Sequence, residues 1–140
     1  MKIITVSEKQ TIELAQKMAT KLQGGEVLCL VGDLGAGKTA FTKGIAKGLG
    51  VKNIITSPTF VLTKNYKARL GQIKQLVHID AYRLNSGSEL EYIGATEYFQ
   101  DCQSVTIIEW ADKVKDIWPK HKIVIEFKIL EDNQREIKIT

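Results

Sequence analysis

Residues 32–39 read Gly32-Asp33-Leu34-Gly35-Ala36-Gly37-Lys38-Thr39, with the spacing G-x-x-x-x-G-K-[ST] of a phosphate-binding loop. Glycines let the backbone curl so that successive N–H groups point inward at a phosphate. We expect the Lys38 ammonium to reach the β- and γ-phosphates and the Thr39 hydroxyl to ligate Mg²⁺. The nucleotide-binding residues predicted in this stretch are Gly32, Asp33, Gly35, Ala36, Gly37, Lys38, Thr39 and Ala40.

The sequence on either side of the loop supplies the context that the motif requires. Residues 26–31 are a short apolar run typical of a buried parallel strand, and residues 41–49 have helical character. A helix that begins near Lys38 directs the positive end of its dipole at a bound phosphate. The alternative is a glycine-rich turn that binds nothing, and the order of strand, loop and helix argues against it.

Composition is typical of an ordinary globular protein. The 140 residues are 44% apolar and 26% charged, which predicts a single domain over residues 1–140. No apolar run approaches the ~20 residues that span a bilayer, and residues 1–6 resemble a strand more than a signal peptide. Cys29 and Cys102 lack metal-ligand spacing and fit a reducing compartment. We therefore expect a cytoplasmic protein with no membrane partner.

The charge pattern limits both partners and chemistry. The net charge is +4, and a solvated lysine-rich surface explains it better than a dedicated nucleic-acid groove. The arginines are Arg69, Arg83 and Arg135. With so few arginines, we do not expect several of them to clamp a transferring phosphoryl group.

Two hydroxyl-bearing stretches accompany the loop. Ser7 and Gln10 form a capping box for an amphipathic helix, and Ser7 is also a candidate for contact near the base of a nucleotide. Residues 57–60 read Ser-Pro-Thr-Phe, about 20 residues after the loop. This segment is either an ordinary turn or a mobile switch that brings Thr59 to the metal and the γ-phosphate, and the spacing leaves both open.

Two further strands are predicted at residues 60–66 and 73–80, joined by a hairpin. The second of them ends with His78, Asp80 and Tyr82, which the period of two places on one face. Three polar groups side by side at a strand end are unusual in a buried core. We therefore expect them at a functional site.

Residues 105–109, Val-Thr-Ile-Ile-Glu, form another buried strand that ends in an acid. Nucleotide hydrolases place a carboxylate beside the metal in this way, on a strand next to the loop strand. Glu109 is therefore predicted at the metal, with Trp110 covering the site or packing on a neighbour. The competing interpretation makes Glu109 an acid at the N-terminus of the following helix.

The C-terminal residues 122–130 alternate between two faces and return through residues 135–140, which predicts an antiparallel hairpin on a sheet edge. Together with the strand, loop and helix at residues 26–49, these elements predict an α/β fold.

Four motifs, in this order, resemble the TsaE family, formerly called YjeE. They are GDLGAGKT at residues 32–39, SPTF at 57–60, HIDAYRL at 78–84 and EW at 109–110. The loop alone is generic, whereas HIDAYRL and the EW pair make the resemblance specific. The likeness extends over nearly the whole chain, from the first helix to the final hairpin.

The resemblance implies an α/β fold of the P-loop NTPase type, with three layers around a mixed sheet that has a parallel centre and antiparallel edge hairpins. It further implies a slow ATPase whose cofactors are ATP and Mg²⁺. It also implies a role with the proteins TsaD and TsaB in threonylcarbamoyl modification of the tRNA adenosine next to the anticodon. In that arrangement TsaD and TsaB carry out the transfer, and the tRNA is met only through the complex.

Residue by residue, the resemblance assigns catalytic roles to Lys38, Asp80 and Glu109, and metal ligation to Thr39, Asp80 and Glu109. Arg135 is expected to approach the ATP from the last hairpin, and Ser7 from the first helix. We expect Asp80 to position water or act as the base, and His78 to orient Asp80 or the partner surface. The predicted switch and partner-contact residues are Thr59, His78, Tyr82, Arg83 and Trp110.

Other functions of proteins with such a loop fit the sequence less well or remain open. A small-molecule kinase of the P-loop type needs an arginine-bearing lid, which three scattered arginines do not supply. A GTP-dependent switch usually carries Asn-Lys-x-Asp, and that tetrapeptide does not occur in the sequence. A non-catalytic nucleotide-binding scaffold remains open.

Overall fold

A mixed sheet organises the computed structural model, which describes residues 1–56 and 62–140. In this part of the chain, seven strands lie in the order β1-β7-β6-β2-β5-β4-β3. Their bounds are β1 (Lys2–Thr5), β2 (Val27–Gly32), β3 (Thr63–Leu70), β4 (Ile73–Asp80), β5 (Ser104–Glu109), β6 (Ile123–Ile129) and β7 (Arg135–Ile139).

Helices cover both faces of this sheet. Helices α1 (Glu8–Ala19) and α2 (Lys38–Gly48) share one apolar core with alternate sheet residues such as Leu30 and Ile107. Helix α3 (Ser88–Tyr92) and two 3₁₀ helices (Ala95–Gln100 and Ala111–Ile117) share a second core with the intervening residues, such as Cys29 and Ile108. Burial raises the pKa of the Cys29 thiol to about 12, as expected of a core cysteine. The predicted three-layer α/β fold is confirmed.

The sheet has the predicted parallel centre and antiparallel edges. Strand β2 is parallel to β5 and β6, and β5 is parallel to β4. The pairs β3–β4, β6–β7 and β1–β7 are antiparallel. The C-terminal hairpin, however, is not itself the edge, because β6 pairs with the loop strand β2 and β1 covers β7. Alternation in a sequence identifies the buried face of a strand but not its neighbours.

The first helix begins and packs as its sequence predicts. The Ser7 hydroxyl accepts a hydrogen bond from the Gln10 backbone N–H at 3.1 Å and caps α1. Helices α1 and α2 approach closely at Gly44, where a Cβ would lie 2.3 Å from the Ile12 carbonyl oxygen. Within residues 1–56 and 62–140, no helix is both long enough and apolar enough to cross a membrane.

The sheet brings three chain segments together where its parallel strands end. The carboxyl ends of β2, β5 and β4 lie side by side, with Leu30 opposite Glu109 and Asp80 also opposite Glu109. The predicted phosphate-binding loop follows β2 directly. Ligand sites in parallel sheets form at such an edge, because the loops that leave neighbouring strands there enclose a crevice.

Candidate functional site

The loop between β2 and α2 has the backbone of a phosphate cradle. Gly35 and Gly37 have φ angles of 78° and 109°, in the region that L side chains rarely adopt. Gly37 is the N-cap of α2, so the helix begins at Lys38. The first N–H groups of α2 have no partner within the helix, and they make its N-terminus an anion site.

Lys38 is held within the loop and against an aromatic ring. Its ammonium donates to the carbonyl oxygens of Gly32 at 2.6 Å and Asp33 at 2.7 Å. It also lies 4.0 Å from the centroid of the Trp110 ring, a favourable cation–π distance. Burial lowers the pKa of Lys38, and nearby carboxylates, Glu109 first, oppose that shift. The Lys38 ammonium thus lies beside the position that a bound phosphate is expected to occupy.

A chain of hydrogen bonds runs from the loop into the sheet. The Thr39 hydroxyl donates to Glu109 Oε1 at 3.1 Å, and Glu109 Oε2 pairs with His78 Nε2. His78 is 0% exposed and Glu109 is 3% exposed. His78 Nδ1 is buried and has no hydrogen-bond partner among the described residues. A buried carboxyl group needs hydrogen-bonding partners, and each Glu109 oxygen has one.

Asp80 lies beside Glu109 on the neighbouring strand. Its Oδ1 accepts a hydrogen bond from the Tyr82 backbone N–H at 3.0 Å. Burial raises the pKa of Asp80, and the Glu109 charge adds to that effect, while the hydrogen bond from Tyr82 opposes it. A half-buried carboxylate of raised pKa next to a second carboxylate is a candidate acid or base.

The oxygen donors at this edge suit a hard divalent cation. Mg²⁺ binds through one or two carboxylates, with phosphate oxygens and water completing its shell. Thr39 and Glu109 are already in contact, and Asp80 lies opposite Glu109 in the sheet register. These three residues fit the predicted role of metal ligands.

Trp110 occupies an unusual backbone position at the site. Its φ of 57° and ψ of 39° are in the left-handed region, which is rare for a bulky residue and often marks a functional site. Its ring lies 5.0 Å from that of Tyr82, and the Lys113 ammonium approaches both rings. The strained turn at the end of β5 therefore brings the indole over Lys38.

These groups face a cavity of about 690 Å³, a size typical of small-molecule and cofactor sites. The strand ends and α2 contribute one part of its lining, including Lys38, Thr39, Asp80 and Glu109. The start of α1 and the residues before and within β7 contribute another part. These are Val6, Ser7, Glu8, Thr11, Asn133 and Arg135.

Most predicted residues converge on this cavity. Ser7 and Arg135 line it, and the Arg135 Nη2 donates to the Gly35 carbonyl oxygen at 3.2 Å. Within the loop, Gly32 and Asp33 contribute carbonyls that hold Lys38, and Ala36 is buried. The other predicted residues that line the cavity are Gly35, Gly37, Lys38, Thr39, Ala40, Asp80, Tyr82, Glu109 and Trp110.

Some predictions need correction. His78 does not face a partner surface and hydrogen-bonds Glu109 rather than Asp80, because the strand register places it diagonally behind Glu109 in the interior. Glu109 ends β5, and Trp110 is the N-cap of the next helix, so the helix-start interpretation of Glu109 is wrong. Arg83 is exposed and does not line the cavity, and its role as a partner contact stays a prediction. Thr59 lies outside the described residues.

Several lining residues had no clear sequence signal. Val6, Glu8 and Thr11 lie close to the capping serine. Leu34 is a variable position within the recognised motif, and Lys43 follows the motif on α2. A capping box close to a phosphate loop was the available hint for the first group. Asn133, with φ 62°, forms the turn before β7, and only the pairing of β7 with β6 brings it to the loop.

Comparison with known proteins identifies the family. The model of the family described as "Threonylcarbamoyl adenosine biosynthesis protein TsaE" matches residues 5–137. The chain belongs to the TsaE family. A TsaE protein of Bacillus subtilis is 41% identical over 136 residues, covering 97% of this chain and 82% of that protein. One from Aquifex aeolicus is 39% identical and covers 98% of this chain and 93% of that protein.

The fold of the TsaE family member agrees with a solved relative. A crystal structure of YdiB from Bacillus subtilis matches with a TM-score of 0.82 and 36% sequence identity. The match covers 99% of this chain and 83% of that one. The resemblance in the four motifs therefore agrees with the family model, and the predicted α/β fold agrees with the solved structure.

Proposed function

We propose that this TsaE family member binds ATP with Mg²⁺, hydrolyses it slowly, and serves with TsaD and TsaB in tRNA threonylcarbamoyladenosine modification. The relatives from Bacillus subtilis and Aquifex aeolicus are named tRNA threonylcarbamoyladenosine biosynthesis proteins. The observation that carries the ATPase proposal is the convergence of Lys38, Thr39, Asp80 and Glu109 on one cavity.

The proposed binding step uses groups that are already in position. The N-terminal N–H groups of α2 meet the β-phosphate, and the Lys38 ammonium exchanges the carbonyls of Gly32 and Asp33 for phosphate oxygens. Thr39 and Glu109 hold the Mg²⁺ side of the nucleotide. Bound Mg²⁺ supplies neutralisation of the charge that develops on the β- and γ-phosphate oxygens.

In this proposal Asp80 positions the attacking water and accepts its proton. Burial raises the pKa of its carboxyl, so its ionised form is a stronger base than an ordinary surface aspartate. Its Oδ1 is fixed by the Tyr82 N–H. The carboxylate accepts a hydrogen bond from the attacking water and takes up its proton as the water oxygen bonds to the γ-phosphorus. The bond from that phosphorus to the β–γ bridging oxygen breaks at the same time, and ADP leaves with its electron pair.

The shortage of arginines at the cavity favours slow turnover by the isolated chain. Of the described residues that line the cavity, one is an arginine, Arg135, and its guanidinium donates a hydrogen bond to the Gly35 carbonyl oxygen. An arginine aimed at the transferring phosphoryl group is worth roughly 10³–10⁵ in rate. We therefore propose that a partner supplies the missing stabilisation.

The test is phosphate release from ATP, measured for the chain alone and with TsaD and TsaB, beside an assay of modified tRNA. We expect slow release alone, faster release with the partners, and loss of repeated modification when the chain is omitted. Equal yields of ADP and inorganic phosphate distinguish hydrolysis from a kinase, which hands the phosphoryl group to an acceptor. Fast phosphate release that does not change when TsaD and TsaB are added would contradict the proposal.

A further inference from the structure

We infer that His78 is a positioning residue for Glu109, holding one carboxylate oxygen so that the other faces Thr39 and the nucleotide. The chemical consequence rests on the proposed ATPase function. The geometric part stands without it, because the Glu109 carboxylate lies between His78 Nε2 and the Thr39 hydroxyl.

The sheet register makes this contact specific. In the parallel pair β4–β5, His78 lies opposite Ile107 and Asp80 lies opposite Glu109. His78 and Glu109 are therefore diagonal neighbours on one face, within reach of long side chains. Both are buried, at 0% and 3% exposure, so water does not substitute for either partner.

The inference includes the roles of the ring nitrogens. In the proposed arrangement the Glu109 carboxylate is the acceptor, so the hydrogen between the pair belongs to His78 Nε2. Nδ1 is buried with no partner among residues 1–56 and 62–140. In this arrangement His78 donates from Nε2 to Glu109 Oε2, and Nδ1 takes no part in the contact.

Orientation matters because the last torsion of a glutamate is broad and twofold. A donor on each oxygen fixes the plane of the Glu109 carboxylate and leaves Oε1 on the loop side. Without His78, the carboxylate is free to rotate and has lost a buried donor. Residues that orient a metal-side ligand in this way typically change metal affinity or activity 10–100-fold, roughly, when removed.

Two substitutions separate positioning from packing. His78→Gln keeps an N–H donor at similar reach, and His78→Met keeps the volume without a donor. We expect His78→Met to lose roughly 10–100-fold in turnover and to need more Mg²⁺ for half-maximal rate. His78→Gln should recover most of both, while ADP affinity without Mg²⁺ stays unchanged in each variant. His121→Gln, at the other and exposed histidine, is the matched control.

A second readout does not depend on catalysis or on the variants folding. In nucleotide-free protein, ¹⁵N NMR of the imidazole should show a proton on Nε2 of His78. A proton on Nδ1 alone, or equal losses in the Gln and Met variants, would overturn the inference. Absence of ATP hydrolysis by the unmodified chain would instead refute the proposed function, and the NMR spectrum would still decide the role of His78.

Discussion

The Thr39 hydroxyl donates to Glu109 Oε1 at 3.1 Å although 70 positions separate the two residues. The parallel pairing of β2 with β5 brings them together, because Leu30 and Glu109 are opposite each other and the loop follows Leu30 closely. One hydrogen bond thus joins the first residues of α2 to the end of the neighbouring strand. It also identifies the pair of oxygens between which the cation is proposed to lie.

Removing the charge of Glu109 should separate binding from turnover. In Glu109→Gln we expect ADP affinity without Mg²⁺ to stay near that of the unmodified chain, and phosphate release to fall roughly 10–100-fold. The reason is that the phosphates are held by the loop and Lys38, whereas Glu109 serves the cation side. Calorimetry and a phosphate-release assay measure the two effects. Glu126→Gln, in an exposed pair with Lys138, is the control. Equal losses in both measurements would make Glu109 structural.

Lys38 should matter first for binding. Its ammonium is expected to form charge-assisted hydrogen bonds to the phosphates, each worth about 1.5–3 kcal/mol. Lys38→Ala should therefore weaken ATP binding roughly tenfold to a hundredfold for each hydrogen bond that is lost. Calorimetry measures this change. Lys47→Ala, an exposed lysine on the same helix, should bind normally. Normal affinity in Lys38→Ala would contradict the assignment of the loop.

Asp80 should make stability depend on pH with a definite sign. Because the folded state raises the pKa of Asp80 above 3.8, folding favours the protonated carboxyl. Stability from this group is fully present below the unfolded value and is lost as pH rises through the folded value. Asp80→Asn should therefore increase the free energy of unfolding at neutral pH, and the gain should vanish as pH falls below about 4.

Urea denaturation of both proteins across pH tests this prediction. Asparagine keeps the Oδ1 acceptor for the Tyr82 N–H, so the local turn is preserved. Glu91→Gln, an exposed carboxylate of α3, serves as the control for a general charge effect. A gain that persisted unchanged at low pH would show that the ionisation of Asp80 is not its cause.

Trp110 should report nucleotide binding by fluorescence. Its ring contacts the Lys38 ammonium, which is expected to move onto phosphate, whereas the Trp118 Nε1 donates to the Ala111 carbonyl. In Trp118→Phe, where Trp110 remains, ATP should change the emission. In Trp110→Phe, where Trp118 remains, we expect little change. The reverse pattern would mean that Lys38 does not leave the indole.

The close approach of α1 and α2 should make Gly44 sensitive to a single methyl group. A Cβ there would lie 2.3 Å from the Ile12 carbonyl oxygen and 2.6 Å from the Ala15 Cβ. Gly44→Ala should cost about 1–3 kcal/mol despite the better helix propensity of alanine. Chemical denaturation measures this loss, with Lys47→Ala as a control on the same helix. A stabilised Gly44→Ala protein would show that the helices separate readily.

The sequence was sufficient where chemistry is local. The spacing of Gly32–Thr39 predicts a phosphate-binding loop, because the φ angles and donors of such a loop depend on consecutive residues. The apolar run before Glu109 identifies a buried strand with an acid at its end. Period two also placed His78 and Asp80 on one face, as the register with β5 confirms.

Prediction failed where the outcome depends on which strands are neighbours. Alternation in residues 122–130 indicated a hairpin, yet it did not show that β6 lies against β2 rather than at an edge. The same limit applied to His78, whose polar character suggested an accessible site. Its burial depends on a carboxylate 31 positions away that supplies the missing hydrogen bond.

The sequence by itself thus determined the loop, the strand ends and the family resemblance, since each depends on residue identity at short spacing. Only the tertiary structure decided that Glu109 bridges Thr39 and His78, that Trp110 lies over Lys38, and that Arg135 reaches Gly35. These contacts join residues far apart in the chain. Strand order and register set them, and both follow from how the whole sheet buries its faces.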